Sequence, residues 1–502
     1  MSQWSSWSSR SSTPMPGSGM DGWLRRAAVP SWWTAHRPLR MATDCSGIGV
    51  PEIAMQMMGQ RTGGAVDHMW TCDVFKPSQK WLQGLMGEHT LLADMMERSF
   101  DITSGAFTAT DIKGNQHTFK KDCNIDVYVC GFMCTPFTRN GTRQSWNHED
   151  TKTFWATLKT ILAVLPRSFV LENVISIHDR YNKPVLDKAL MLLEKEYLVF
   201  QICCDSKLFG VPQRRARVYF VGVRHAELHP KYAGRSVEIL RQFVEQKVKS
   251  FQTHTEGDKI DFRKFLKEEG LEVHEGQSSQ SSESPESSPS SESSESCSTD
   301  CTCAVSVHCL AHPCTCSYCK DYGEHAKKCR WRINIRNYTK LQSSRKKRLS
   351  YLKLWRKVKN DDKLKVAPDY FSIAARKGID TSSPHCPRQR VTLRELSYER
   401  NLLNGATILN LKKSFGRCQI RADGLVPTLG GGCLGFFLPS VASYLTVDHL
   451  LCLSGLSPRE NKICYQLAND QNNGDMEWMM GNTMTLPVVG PVLSVALGML
   501  RP

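Results

Sequence analysis

Between residues 41 and 224 short apolar runs alternate with longer stretches of helical period. The runs MATDC (41–45), DHMWTCDV (67–74), DVYVCGF (126–132), RSFVLEN (167–173) and RVYFVGVR (217–224) predict strands. Between them PEIAMQMMG (51–59) and KTFWATLKTILAVL (152–165) predict helices. Such alternation predicts βαβ units and a mainly parallel sheet. GAFTATDIKGNQHTF (105–119) breaks the pattern and predicts an inserted hairpin with a Gly-Asn turn. The last apolar run, TLPVVGPVLSVALGML (485–500), holds two prolines and is too short to span a membrane, so a buried C-terminal helix is expected.

The rest of the chain departs from this rhythm. Residues 1–40 are rich in Ser, Trp and Arg and predict a flexible tail, a transit peptide being the alternative. The core pattern covers 41–224, and a connecting helical segment is expected over 225–276. A linker follows at 277–296, in which 12 of the 19 residues from 278 on are serine, a composition that cannot offset its ordering entropy. Residues 297–330 are rich in Cys and His, 331–404 form a basic segment, and apolar, glycine-rich sequence returns over 405–502. The middle therefore reads as an insertion between two parts of one core.

With 65 basic against 49 acidic side chains the formal charge is +16, which suits a polyanionic partner such as nucleic acid. The 20 cysteines are scattered and no secretory signal is evident, so a reducing compartment is expected, with thiols free, catalytic or metal-bound.

The candidate chemistry gathers at strand ends, where open parallel sheets bind ligands. Cys134 follows DVYVCGF and is either a packed thiol or a nucleophile. Gly47 and Gly49, in TDCSGIGVPEIA (43–54), let a ligand approach the backbone at a helix N-terminus, or serve a plain tight turn. Asp73 ends the next strand, where a carboxylate can hold ribose hydroxyls. Glu172 is placed for proton handling or for capping the following segment. Arg215 and Arg217 alternate onto one strand face, as donors for phosphate or a carbonyl oxygen or as a surface cluster.

Taken in order, SGIG, GFMCTPFTRNG, LENV, QRRARVYFVG and GNTMTLPVV (481–489) resemble the motif set of DNA (cytosine-5) methyltransferases, over roughly 41–224 and 405–502. The resemblance implies an α/β, Rossmann-like class I methyltransferase fold, with a mainly parallel sheet and a large insertion carrying the Cys-rich segment. It implies S-adenosyl-L-methionine as cofactor and methyl transfer to carbon 5 of cytosine in DNA through a covalent cysteine adduct. Cys134 is then the nucleophile, Glu172 the partner of the base and Arg217 the orienting cation, with Arg215 second. Ser46, Gly47, Gly49, Asp73, Asp94 and Asn482 are the implied cofactor residues, Asp94 being preferred to Asp111 because the latter falls in the hairpin. Three departures stand out: Thr43, Asp44 and Cys45 replace the usual Asp-Leu-Phe, Met133 replaces a proline that pins the cysteine loop, and Thr135 replaces a glutamine. The motif set is shared by enzymes acting on tRNA, and a catalytically silent nucleic-acid binder is the remaining alternative.

Cys314, Cys316, Cys319 and Cys329 have the ligand density of a structural zinc site, the alternative being reactive thiols behind a linker. The stretch 327–359 has 14 Lys or Arg and no acid, which suits phosphate contact, target recognition or nuclear targeting through RKKR. A nuclear or organellar location is expected, with DNA as partner or RNA in its place.

Overall fold

Seven strands hydrogen-bond into one sheet: β1 (Leu39–Asp44), β2 (Val66–Cys72), β3 (Leu91–Leu92), β7 (Val127–Cys130), β8 (Ser168–Val174), β9 (Tyr197–Asp205) and β10 (Ala216–Arg224), in the order β3-β2-β1-β7-β8-β10-β9. Those from β3 to β8 run parallel, while β10 is antiparallel to both of its neighbours. The computed structural model describes residues 22–101, 104–138, 146, 148–273, 407–412, 419–430 and 433–502. The linker 277–296, the segment with Cys314, Cys316, Cys319 and Cys329, and the basic segment 331–404 lie outside the described residues.

The expected α/β sheet is thus present, and strand order places the site. From β1 the chain moves first to β2 and β3 on one side and then to β7 on the other. The crevice at the carboxyl ends of β1 and β7 is therefore the switch point where such sheets take ligands. Strand β9 was not among the expected strands, although YLVFQICC alternates as an edge strand does. Helices α2 (Val50–Thr62), α3 (Lys76–Met86), α4 (Thr151–Val164) and α5 (Lys183–Leu193) connect the strands, and α6 (Val237–Lys249) and α7 (Phe262–Glu268) follow. The C-terminal part supplies α8 (Val447–Cys452), α9 (Lys462–Asn469), α10 (Asn473–Asn482) and α11 (Leu486–Gly498). Helix α11 is buried from Leu486 to Leu497 and packs on α2, β8 and β10, as its apolar run requires.

The described residues fall into two units: those within 22–272, 421–434 and 445–502, and those within 273–420 and 435–444. The second contributes a small antiparallel sheet of β11 (Ile408–Asn410), β12 (Phe436–Leu438) and β13 (Ser443–Tyr444), with the Phe437 and Tyr444 rings 5.0 Å apart.

The expected flexible tail is corrected from residue 22 onward. Helix α1 (Gly22–Arg26) seats Trp23 so closely on α11 that a Cβ at Gly490 would lie 2.4 Å from its ring. Trp33 is buried too, its indole N–H donating to Ala65 O at 2.6 Å. Serine and arginine mark residues 1–40 as a tail, but from residue 22 on two buried indoles decide the packing.

The expected hairpin is present as β4 (Ser99–Asp101), β5 (Ala106–Thr110) and β6 (Gln116–Lys120). Asp111 closes its turn, accepting from the backbone N–H of Lys113 and Asn115. The hairpin sends Phe107 and Phe119 onto Trp70 of β2. Beneath these rings lies a fully buried ion pair. Asp44, the last residue of β1, meets the Arg98 guanidinium through both carboxylate oxygens, and Tyr128 Oη (2.6 Å) and Trp70 Nε1 (3.1 Å) also donate to it. Arg98 donates further to Thr160 Oγ1 at 2.8 Å and lies 4.7 Å from the Phe107 ring centroid. Burial opposes the Arg98 charge, but Asp44 more than restores it and holds its pKa above the ordinary value.

Removing one partner leaves the other charged and dry. Arg98→Met or Asp44→Leu alone should lower unfolding free energy by about 3–5 kcal/mol. The double variant should recover most of that loss, as denaturant titration would read. Additive losses in the double variant would show that the charges do not act as a pair.

Candidate active site

The β1–α2 loop is built on positive φ: Cys45 at 51°, Gly47 at 57° and Gly49 at 73°. Only glycine adopts this region without strain, which explains the spacing of the two glycines. Asp73 ties the loop to β2: its Oδ2 accepts the Gly47 N–H at 2.8 Å and its Oδ1 the Phe75 N–H at 2.9 Å. Burial pushes the Asp73 carboxyl up, and those two N–H donors pull it back. A Cβ on Gly47 would meet nothing within 4 Å, so the loop faces open space on that side. A ligand approaching the backbone fits there. Ser46 points elsewhere: its hydroxyl pairs with Thr43 Oγ1 at 2.7 Å and accepts the Cys72 N–H at 3.3 Å, joining β1 to β2.

Strands β2 and β3 are neighbours, and Gln79 Nε2 bridges their ends by donating to Asp73 O (2.6 Å) and Ala93 O (3.3 Å). Asp94 therefore stands beside Asp73, half-buried, with Oδ1 accepting the Met96 N–H at 2.8 Å. Asn482 ends α10, exposed, its amide donating to Trp478 O at 2.9 Å.

Cys134 follows β7 and begins a short turn, its carbonyl accepting the N–H of Phe137 at 2.9 Å and Thr138 at 3.1 Å. The loop before it is fixed to the strands and helices beneath. Asn173 Nδ2 donates to Phe132 O at 2.9 Å, and the Met133 N–H donates to Thr153 Oγ1 at 3.3 Å. A proline at 133 could not make the second bond, so the residue expected to loosen the loop gains an anchor of its own.

Glu172 lies in β8, and Arg217 near the start of β10. Because β10 runs antiparallel, its beginning lies at the carboxyl edge of the other strands, and register sets Arg217 opposite Val174, two residues from Glu172. Arg217 Nε is 3.0 Å from Glu172 Oε1, an ion pair outside hydrogen-bond alignment that leaves that oxygen able to accept. Both side chains are largely buried. Gly131 makes room here, since a Cβ would stand 3.0 Å from the Met484 methyl and 3.7 Å from Glu172 Oε2. Burial pushes the Cys134 thiol up; Arg217 pulls it down, Glu172 raises it and Arg215 lowers it again. Arg215 itself is occupied. It donates to the carbonyls of Leu429 (3.0 Å), Gly481 and Thr483, fastening the segment around Asn482 to the sheet. Burial brings its pKa down to about 10.

The fold thus gathers Cys134, Glu172, Arg217, Gly47, Gly49, Asp73, Asp94 and Asn482 at one sheet edge, while Ser46 and Arg215 spend their polar groups on the protein. Among the described residues no group of three or more His, Cys, Asp or Glu is arranged to hold a metal ion. One group was missed in the sequence. Glu52, in the first turn of α2, is buried beneath the glycine loop, with Thr43 Oγ1 donating to its Oε1 and Oε2 left without a partner. Its position one turn into a helix after a glycine loop reads as an ordinary first-turn acid.

Burial raises the Glu52 carboxyl from its ordinary 4.5 to about 7, against the hydrogen bond from Thr43. An acid with its folded pKa raised stabilises the fold fully below its unfolded value, and loses that contribution as pH rises through the folded one. The window is about pH 4.5–7, and the difference is worth about 3 kcal/mol. Unfolding free energies of wild type and Glu52→Gln should converge near pH 4.5. At pH 8 the variant should be the more stable by up to that amount. Parallel pH profiles would show that Glu52 stays ionised in the folded state.

The family model for C-5 cytosine-specific DNA methylase matches residues 92–389, more than half of the chain. The type II methyltransferase M.BsuFI of Bacillus subtilis is 36% identical over 101 residues, 19% of this chain and 24% of that protein. The DNA (cytosine-5-)-methyltransferase DMT5 of Cryptococcus neoformans is 25% identical over 239 residues, 45% of this chain and 9% of that protein. The chain therefore spans about a quarter or less of these relatives' own length. The structure of the S. pombe Dnmt2 methyltransferase is similar at 16% identity and a TM-score of 0.30, over 46% of this chain and 59% of that one. With motifs, sheet and family model in agreement, the chain belongs to the C-5 cytosine-specific DNA methylase family.

Proposed function

We propose that the protein transfers a methyl group from S-adenosylmethionine to carbon 5 of cytosine in DNA, with Cys134 as nucleophile. The observation that carries this reading is the cysteine at the exit of β7, set in the field of the Arg217–Glu172 pair at the sheet's switch point. A packed thiol would need neither charge. When bound, the cofactor supplies an electrophilic methyl group; Gly47, Gly49, Asp73, Asp94 and Asn482 are the residues that would hold it.

Cytosine carbon 5 is a weak nucleophile. The Cys134 thiolate adds to carbon 6, which pushes electron density onto carbon 5, where the methyl is accepted. Loss of the carbon-5 proton to a base then restores the double bond and expels the thiolate. The free protein does not favour thiolate, because burial and Glu172 both raise the thiol. Cytosine changes that balance. As the Cys134 thiol gives up its proton, that proton is taken up between Glu172 and ring nitrogen 3, so the carboxylate charge no longer opposes the thiolate while the pull of Arg217 and Arg215 remains. Nucleophile activation is thereby coupled to occupation by the correct base. Arg217 orients the base oxygen, and Arg215 acts through the backbone it holds. The target base has to leave the stack to reach this crevice, and the net charge of +16 suits a DNA backbone.

DNA bearing 5-fluorocytosine cannot release its carbon-5 substituent and should trap the protein covalently in the presence of S-adenosylmethionine. Cys134→Ala should abolish the adduct, while Cys130→Ala keeps it. Glu172→Ala should slow trapping by on the order of 100-fold or more. Trapping on fluorinated RNA but not DNA would replace DNA with RNA as substrate, and binding without trapping on either would leave a silent nucleic-acid binder. In the free protein, Arg217→Met should slow alkylation of Cys134 by iodoacetamide at fixed pH, because the first charge opposing burial is gone. An unchanged alkylation rate would remove Arg217 from the control of the thiol.

A further inference from the structure

The residues proposed to hold the cofactor have exposed apolar neighbours. Val74 follows Asp73 and is 65% exposed, Met96 lies two residues after Asp94, and Trp478 lies one helical turn before Asn482 and is 39% exposed. Single exposed apolar side chains are ordinary on a protein surface, but three beside the residues proposed to hold one ligand form an apolar rim that the ligand can cover. Their positions are fixed. The Phe75 N–H is bound to Asp73 Oδ1, and the Phe75 ring packs on Trp478 with centroids 4.4 Å apart at 41°. Trp478 and Asn482 share one face of α10, joined by the bond from Asn482 to the Trp478 carbonyl. An aromatic surface is thus braced by a ring two residues after the carboxylate placed for ribose hydroxyls, and stands one turn from the asparagine.

The chemistry of a nucleoside then limits the choice. The base is attached at the ribose carbon adjacent to the 2′-hydroxyl, so hydroxyls held at Asp73 bring a flat purine ring beside that carboxylate. Cys45, where the family usually has an aromatic residue, offers no ring face. Its thiol donates to Met95 Sδ at 3.7 Å.

We propose that Trp478, braced by Phe75, is the stacking surface for the adenine of the cofactor, with Val74 and Met96 closing the apolar slot. This assignment rests on the cofactor reading above and adds to it the residue that recognises the base. It also gives α10 a second task, since the helix that returns Asn482 to the site brings the ring with it.

Calorimetry on the full chain with S-adenosylhomocysteine and with 5′-methylthioadenosine tests this, because the second ligand keeps the adenine and lacks the amino acid. Trp478→Ala should weaken both by about 5- to 100-fold, the range of one base–aromatic stack. Trp478→Phe should stay within about threefold of wild type. Trp478→Leu keeps apolar bulk without a π-face and should fall with the alanine variant; it stands in if Trp478→Ala fails to fold. Either ligand should quench part of the wild-type tryptophan fluorescence, and that part should be missing in Trp478→Phe. Equal affinity in the alanine or leucine variant and wild type, or unchanged quenching in Trp478→Phe, overturns the stacking assignment while leaving the cofactor in place. A wild-type chain that binds neither ligand overturns the cofactor reading together with it.

Discussion

The constraint on which the site depends is the charge of Asp44, at the end of β1 and shut off from water. A carboxylate there is tolerable only with a cation and further donors, because an uncompensated buried charge costs several kcal/mol. Arg98 supplies the cation, and Tyr128 and Trp70 the donors. Arg98 comes from the segment that follows β3, so satisfying Asp44 also fixes that segment. Asp94 lies four residues before Arg98, in the same turn. The hairpin then seals the pair with Phe107 and Phe119, and the hairpin insertion gains a physical role: it keeps water from the charge that ends β1.

Strand polarity supplies the other half of the site. If β10 were parallel, Arg217 would lie at the far edge of the sheet. Its antiparallel direction brings Arg217 to Glu172 and delivers Arg215 to the carbonyls of residues 481 and 483. One strand reversal therefore adjusts the electrostatics of Cys134 and fastens the C-terminal segment that carries Trp478 and Asn482. The cost falls on Arg215, whose guanidinium is buried and electrostatically opposed by Arg217. Backbone carbonyls rather than a carboxylate satisfy it, which leaves Glu172 to Arg217 and to a substrate.

Much of this was legible in the sequence because period and turn chemistry are local. The five expected strands, the helix at 51–59, the hairpin and the buried C-terminal helix are written in short windows. Cys134, Glu172 and Arg217 were found from the order of their motifs. Their meeting at one edge needed only strand direction. What escaped detection depends on partners distant in sequence. Asp44 reads as a polar residue in a strand until Arg98, 54 positions away, is seen against it. Glu52 reads as a helix-start acid until its burial is known. Trp23 and Trp33 sit in a segment whose serine and arginine content suggests a tail, and no local pattern shows which indoles are buried. Strand β9 was missed because its outward positions, among them Gln201 and Cys203, interrupt its apolar run.

Three of the substituted positions, Met133, Asp44 and Cys45, follow one physical logic. In each, a constraint usually held by a side chain inside the motif is transferred to a partner elsewhere in the chain. Met133 gives up a fixed φ and gains an N–H, which Thr153 of α4 accepts. Asp44 brings a charge where the family has leucine, and Arg98 balances it. Cys45 gives up a ring, and Trp478 offers an exposed ring packed on Phe75, whose N–H is bound to Asp73. Each transfer couples a loop to a second element, so the loop's geometry depends on tertiary structure more than on its own sequence.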